Sequence, residues 1–343
     1  MTTDAVAGFI REQPQTVPAT YRAVREAVAG RHPAEGCATL VGSGSSLNAL
    51  TAMAPAFAAA SRRSPRTFGP RAFLTELVAG RIDPGPVIIL SQSGASRTTI
   101  EAAEQALARG LDVWRVTAEA RSPFARLGDG AIVIPIGPEP IGPKTKGYTA
   151  SLAALSAIAD RFAGVEVSTP ACEPELVEAS RAGAEALAGR AGDVDFVLVA
   201  GAGAQVGTAM EASLKISEMS GVPSAGFDLE EALHGRLHGL TARSLAIFVV
   251  DADAEGGEAD LAARTMRQLG CRTCLLGHWN ATGIGFRDAV DGVSSWPLDP
   301  IRAIVPFQWL ASALARARGR DPAAMRYPGL SARLSIKTPG EVR

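Results

Sequence analysis

The sequence predicts an α/β protein built from two tandem, doubly wound parallel sheets. Three observations predict it: short, almost wholly apolar runs alternate with Ala-rich stretches of helical length, glycine and serine turns follow the early runs, and the pattern returns about 160 residues later. Strands that are apolar on both faces belong to parallel sheets covered by helices on each side.

In order, Ala38 to Val41, Val87 to Leu90, Val113 to Val116 and Ala131 to Ile136 read as strands of the first sheet. Ala-rich segments such as Ser96 to Arg109 read as the helices between them. Equivalent landmarks then recur at offsets of 159 to 160 residues: Gly42 with Gly201, the loop at Ser91 with that at Asp251, the loop at Thr117 with one at Gly277, and Pro140 with Pro300. A constant spacing over four landmarks predicts two copies of one unit, joined near Val165 to Glu175, where Pro170 and Pro174 interrupt the helical pattern. The expected organisation is a helical arm over 1–30, a first domain over 31–168, a second over 175–325 and a tail over 326–343.

The 343 residues are 47% hydrophobic and carry 34 basic against 35 acidic side chains, a formal net charge of -1. With no basic block to neutralise phosphates, nucleic-acid binding is not expected. The apolar runs, Leu245 to Val250 among them, are too short to span a bilayer, and the N-terminus has acid where a signal peptide carries positive charge. No membrane association and a cytoplasmic location are therefore expected. Four cysteines do not describe a disulfide scaffold. Cys271 and Cys274, with His278 beyond, lack a second ligand pair and read as a buried strand, so no metal or other cofactor is expected.

Two turns carry hydroxyls. Val41 leads into Gly42-Ser43-Gly44-Ser45-Ser46, with a helix expected from about Leu47, and Leu90 leads into Ser91-Gln92-Ser93-Gly94-Ala95-Ser96. Both follow parallel strands at the carboxyl edge of the sheet, where helix N-termini present N–H groups to anions. One serine turn is an ordinary helix cap, but two on consecutive strands point to a phosphate site. A nucleotide site fits less well, because the first turn is not G-x-G-x-x-G and no Walker lysine follows. In the second copy the matching loop, Asp251 to Gly256, carries three acids and is expected to bind no phosphate.

Beyond Gly201-Ala202-Gly203, the residues Glu211, Lys215 and Glu218 share one helix face at i, i+4 and i+7. That spacing alone suits a solvated Glu-Lys pair, yet the surrounding segment is rich in Ala, Gly and Met and its charges form this one stripe. Sixteen residues beyond Glu218, Glu230-Glu231-Ala232-Leu233-His234-Gly235 sets a histidine beside two carboxylates. Acid, base and cation lie in one short stretch, as proton transfer at a sugar carbon requires.

This combination resembles the sugar isomerase (SIS) domain family, and most closely the isomerase half of glucosamine-6-phosphate synthase and its stand-alone deaminase and deglycase relatives. The matching pieces are Glu12-Gln13-Pro14, Gly44-Ser45-Ser46, Ser91-Gln92-Ser93-Gly94, Gly137-Pro138-Glu139, Thr145-Lys146, Glu211 to Glu218 and His234-Gly235. The resemblance implies two flavodoxin-like three-layer sandwiches, a phosphosugar held through Ser45, Ser46, Ser91, Gln92, Ser93 and Ser96, and proton shuttling between C1 and C2 by Glu218 with Glu211 and Lys215 beside it. It further implies ring opening by His234 from the neighbouring subunit, hence a homodimer with a shared active site. Ser96 stands where the family usually has threonine, which keeps the hydroxyl.

Three features depart from the family. Arg236, not proline, follows His234-Gly235. The tail, Pro328-Gly329-Leu330-Ser331-Ala332-Arg333-Leu334-Ser335-Ile336-Lys337, puts Arg333 where the family's Schiff-base lysine falls in a gapless match. Arginine stays protonated and cannot be that nucleophile, which leaves Lys337 if the register slips. There is no N-terminal cysteine nucleophile, so glutamine-dependent synthesis is not expected. The expected function is isomerisation, with or without deamination, of a phosphorylated sugar or amino sugar. A sugar-phosphate sensor without turnover is the alternative, and a purely structural module, which needs no hydroxyl loops, ranks last.

Overall fold

The computed structural model describes residues 4–165, 169–251, 254–280, 283–288 and 298–338. Two helices open the chain, α1 (Ala5–Arg11) and α2 (Gln13–Val28). They are followed by β1 (Thr39–Val41), α3 (Ser45–Ser61), β2 (Arg66–Phe68), α4 (Pro70–Val78), β3 (Val87–Leu90), α5 (Arg97–Ala108), β4 (Val113–Thr117), β5 (Ile132–Val133) and α6 (Lys146–Ala163). The second half runs α7 (Pro174–Arg190), β6 (Phe196–Gly201), α8 (Gln205–Ser220), β7 (Ser224–Asp228), α9 (Leu229–Leu233), β8 (Ser244–Val250), α10 (Ala254–Gln268), β9 (Arg272–Asn280), β10 (Gly283–Arg287), α11 (Pro300–Ala317) and α12 (Leu330–Arg333). Two compact units result: one comprises Gln15–Pro140, Lys146–Pro170 and Tyr327–Arg343, the other Met1–Pro14, Ile141–Thr145 and Ala171–Arg326.

The sheet of the first unit is parallel throughout, in the order β2-β1-β3-β4-β5. Its central strands β1, β3 and β4 are buried along their whole length, as their apolar runs require. One face packs on α4 and α5 through Phe73, Leu77, Ile89, Ile100, Ala103 and Phe124. On the helices α3 and α6, Phe57 and Phe162 meet edge to face at 5.5 Å, and Phe162 meets Trp114 of β4 at 4.9 Å.

Three details differ from expectation. The run from Ala131 to Ile136 yields only the two-residue β5, because Pro135 has no N–H to continue the ladder. The edge strand β2 has a half-exposed Arg-Thr-Phe sequence with no apolar run to announce it. In addition, α3 starts at Ser45, two residues before the expected Leu47.

The second unit repeats the strand order, with β6 to β10 arranged β10-β9-β8-β6-β7. Here the wholly parallel sheet expected from the sequence is corrected: β10 runs antiparallel to β9. Gly277, expected in a loop, lies inside β9, which continues to Asn280. Only residues 281 and 282, outside the described set, separate β9 from β10, and so short a link can join only antiparallel strands. The unit centres on α11, buried from Ile301 through Ala315 except at the half-exposed Arg302, and capped by Asp299, whose carboxylate accepts from the N–H groups of Ile301 and Arg302, each at 3.0 Å. Among the described residues no helix is long and apolar enough to cross a membrane.

Candidate functional site

In the first unit, the turn after β1 enters α3 at Gly44, whose φ of 56° is a left-handed conformation that glycine adopts without strain. Ser45 and Ser46 form the first helical turn, both half-buried, and the Ser46 N–H donates to the Ser43 carbonyl at 3.2 Å.

The turn after β3 is fixed from several sides. Ser91 is buried, and its N–H donates to the Val116 carbonyl of β4 at 3.0 Å. The Gln92 carbonyl accepts from the Ala118 N–H at 3.0 Å and from the Thr117 hydroxyl at 3.3 Å. Gly94 has φ 62°, and a Cβ there would lie 2.0 Å from Ser122 Oγ, so no other residue fits without displacing its neighbour. The Ser93 hydroxyl accepts from the Ala95 N–H at 3.4 Å, and Thr99 donates to the Ser96 hydroxyl at 2.9 Å. The serines thus ring the first turn of α5, where N–H groups and the helix dipole favour an anion.

Gln92 turns its side chain to another helix start. A Cβ on Gly147 would lie 1.7 Å from Gln92 Nε2 and 2.9 Å from Glu139 Oε2, while that carboxylate accepts from the Gly147 N–H at 3.0 Å. The N-terminus of α6 therefore already holds an anion of the protein itself.

The sequence did not foretell where the tail goes. Lys337 forms an antiparallel bridge with Ser96, the Arg97 N–H donates to the Ile336 carbonyl at 3.0 Å, and the Thr338 N–H donates to the Ala95 carbonyl at 3.0 Å. Lys337 is exposed beside the serine turn, whereas Arg333 is exposed on α12, four residues earlier. Such a bond pattern depends on a contact over more than 230 residues of sequence, for which no local signal exists.

In the second unit, the stripe on α8 is buried, which excludes the solvated pair. Glu211 and Lys215 are 0% and 1% exposed, and Lys215 Nζ lies 3.5 Å from Glu211 Oε1. The same ammonium contacts the Glu218 carboxylate, whose side chain retains 20% exposure. One cation is thus set between two carboxylates, and only Glu218 of the three reaches solvent. Close packing makes this burial possible: a Cβ on Gly226 of β7 would lie 2.4 Å from the Ala209 carbonyl of α8.

His234 ends α9 and is exposed. Its Nδ1 lies 2.9 Å from the Glu230 carbonyl and 3.2 Å from the Glu230 carboxylate. Because a carbonyl only accepts, Nδ1 carries the proton and Nε2 is left outward. The hydrogen bond to the Glu230 carbonyl, helped by the charges of Glu230 and Glu231, raises the His234 pKa above the usual histidine value. Arg236, two residues on, lies over the Phe227 ring at 4.9 Å.

The acidic loop of this unit engages its own chain. Asp251 accepts from the Leu298 N–H at 2.9 Å and from the Gln205 side-chain amide at 3.2 Å. Ala252 and Asp253 lie outside the described residues. Cys274 is buried in β9, and burial pushes its thiol up to about 12, the behaviour of an inert hydrophobe. Among the described residues no group of three or more His, Cys, Asp or Glu is placed to hold a metal ion.

Residues 38–161, from the approach to β1 almost to the end of α6, match the family model for the SIS domain. The protein carries a SIS domain. Over 260 residues it is 30% identical to the glutamine--fructose-6-phosphate aminotransferase (isomerizing) of Thermococcus kodakarensis, an alignment covering 69% of this chain and 42% of that one. The chain thus spans less than half the length of the curated relatives it matches. Among solved structures, a glucosamine-6-phosphate deaminase from Thermotoga maritima superposes with a TM-score of 0.77 at 20% identity, covering 94% of this chain and 98% of that one. The C-terminal domain of a glucosamine-fructose-6-phosphate aminotransferase from Francisella tularensis gives 0.74 at 18% identity, covering 93% and 97%. The chain therefore shares the fold of these two structures, with the SIS domain match over its N-terminal sheet.

Proposed function

We propose that this protein is an enzyme that moves a proton between C1 and C2 of a phosphorylated sugar or amino sugar, with or without release of ammonia. The observation that carries the reading is the buried Glu211-Lys215-Glu218 stripe, which leaves one partly exposed carboxylate at its end. Burying the Lys215 and Glu211 charges costs desolvation that their pairing only offsets, and a carboxylate fixed by a neighbouring ammonium suits a proton carrier. Its relatives' names supply the substrate class: a fructose-6-phosphate aminotransferase in sequence and a glucosamine-6-phosphate deaminase in fold.

In this reading Ser45, Ser46, Ser91, Ser93 and Ser96 supply hydroxyls and N–H groups to the sugar phosphate, and the Gln92 backbone holds that turn in shape. Glu218 takes the proton from one carbon of the opened sugar and returns it to the neighbouring carbon, with an enediol or enamine between. Lys215 holds the Glu218 carboxylate in place, and Glu211 pairs with Lys215 from the other side. His234, through its outward Nε2, opens the sugar ring of a second copy of the chain, which makes the working form a homodimer. Lys337 beside Ser96 is the tail's amine, and its neutral form can condense with a ketose carbonyl where Arg333 cannot.

The experiment is deuterium exchange at C1 of fructose 6-phosphate and of fructosamine phosphates and at C2 of glucosamine 6-phosphate, with ammonia followed in parallel. Exchange supports the enzyme. Tight binding of all of them without exchange replaces it by a sensor of sugar phosphates.

A further inference from the structure

The strand β4 has the sequence Val113-Trp114-Arg115-Val116-Thr117, and it is buried throughout. Its arginine is 1% exposed, an unusual place for a guanidinium, since a buried cation must recover the hydration it loses. Burial lowers the Arg115 pKa, with Arg31 adding to the effect and Asp129 opposing it. The side chain shares its face of the sheet with Val113 and Thr117, by the two-residue alternation of a strand.

What the guanidinium holds is backbone. Nη1 donates to the carbonyls of Phe124 and Ala125 at 3.0 and 3.2 Å, and Nη2 donates to the Asp129 carbonyl at 2.5 Å. Three carbonyls of the segment that follows β4 are thereby gathered around one planar group. This segment has only short turns of its own, so the arginine stands in for the regular hydrogen bonding it lacks.

The same segment supports the serine turn. The Phe124 N–H donates to the Gly94 carbonyl at 3.1 Å, so one peptide residue is bonded to Arg115 through its carbonyl and to Gly94 through its N–H. Ser122 Oγ accepts from the Ala125 N–H at 3.1 Å and fills the space where a Cβ of Gly94 would be. Ala118 and Thr117 fix the Gln92 carbonyl at the other end of the turn.

We infer that Arg115 is a positioning residue for the anion-binding turn Ser91–Ser96: it acts through the 122–129 segment to hold Gly94, and with it the serine hydroxyls, in the shape that receives a phosphate. The inference rests on reading that turn as the phosphate site. Arg115 touches no substrate in this scheme. Its effect is on affinity, because a turn that must be ordered at each binding event binds more weakly than one held in place beforehand.

The test uses the full-length protein, titrated calorimetrically with inorganic phosphate and with fructose 6-phosphate, and assayed for turnover. Three variants are compared with wild type: Arg115→Met, Arg115→Lys and Ser122→Ala. For Arg115→Met, we expect Kd for both ligands and KM to rise about tenfold or more, with kcat at saturation within about twofold of wild type. Arg115→Lys, which keeps the charge but not the three-carbonyl geometry, falls between the two. Ser122→Ala shifts affinity in the same direction by a smaller factor, and it decides the matter if Arg115→Met does not fold. A merely structural arginine would lower thermal stability and the folded fraction while leaving Kd and KM of the folded protein unchanged, and that result overturns the inference. Failure of the wild type to bind either ligand overturns the phosphate reading of the turn instead.

Discussion

Ser96 and Lys337 are bridged, and the Ile336 carbonyl beside them accepts the N–H of Arg97, the first residue of α5. The C-terminal segment is therefore bonded to the same helix start that the serine turn encircles. This places the exposed Lys337 in the backbone bridge beside the serine turn.

Lys337 is expected to form the covalent adduct if the reaction runs through an imine. Borohydride reduction in the presence of fructose 6-phosphate, followed by peptide mass analysis, should label Lys337 in the wild type and nothing in Lys337→Met. Arg333→Ala should still be labelled. Labelling that persists in Lys337→Met shows that another amine is used.

Anion binding should be confined to one of the two sheets. Crystals soaked in a sugar phosphate are expected to show the anion within hydrogen-bonding distance of Ser91, Ser93 and Ser96, and Ser96→Asp should weaken phosphate binding at least about tenfold by repulsion. The corresponding turn of the second sheet has its own carboxylate, Asp251, bonded to Leu298 and Gln205, and should hold no anion. Density for phosphate at Asp251 would contradict this.

How far these features could be read beforehand depends on their range along the chain. Val87 to Leu90 and Leu245 to Val250 announce central strands because burial on both faces leaves an unbroken apolar run. Arg66 to Phe68 and Gly283 to Arg287 do not, since an edge strand is half-solvated and its pairing is set by the partner. The stripe of Glu211, Lys215 and Glu218 was legible as a shared face, but its burial was hinted at only by the small residues around it. Arg115 had a local signal, an arginine inside an apolar strand, yet its three carbonyl partners lie 9 to 14 residues away in a segment with no pattern. The contact between Ile336 and Arg97 had no signal at all.

His234 should titrate above an ordinary histidine, because its protonated form is favoured first by the Glu230 carbonyl and then by the Glu230 charge. With a raised folded-state pKa, any stability it adds is fully present below the unfolded pKa and is lost as pH rises through the folded value. The ring is exposed, so the effect belongs in an NMR titration of the imidazole rather than in a melting curve. Glu230→Gln should lower the pKa only in part, since the carbonyl contact remains. A full return to the free value would mean that the side-chain charge, not the carbonyl, is the main cause.

The acid-base stripe separates into two kinds of variant, because its members differ in burial. Lys215→Met leaves Glu211 and Glu218 facing each other with no cation between them, and breaking a buried ion pair from one side typically costs about 3–5 kcal/mol, so thermal melting should show a large loss of stability. Glu211→Gln keeps the shape and leaves Lys215 paired with Glu218; it should melt closer to wild type and retain most turnover. Glu218→Gln also keeps shape and hydrogen bonding but removes the base, and general-base catalysis typically contributes roughly 10²–10⁴-fold, so kcat should fall by about that factor. Sugar-phosphate affinity should change little in Glu218→Gln, because the hydroxyl turns proposed for the phosphate belong to the other sheet. The decisive comparison is deuterium exchange, at C1 of a ketose or C2 of an aldose, in a Glu218→Gln protein shown by titration to bind its sugar phosphate as the wild type does. Exchange at the wild-type rate would take the proton away from Glu218 and leave the stripe as a structural pair inside a sugar-phosphate-binding protein.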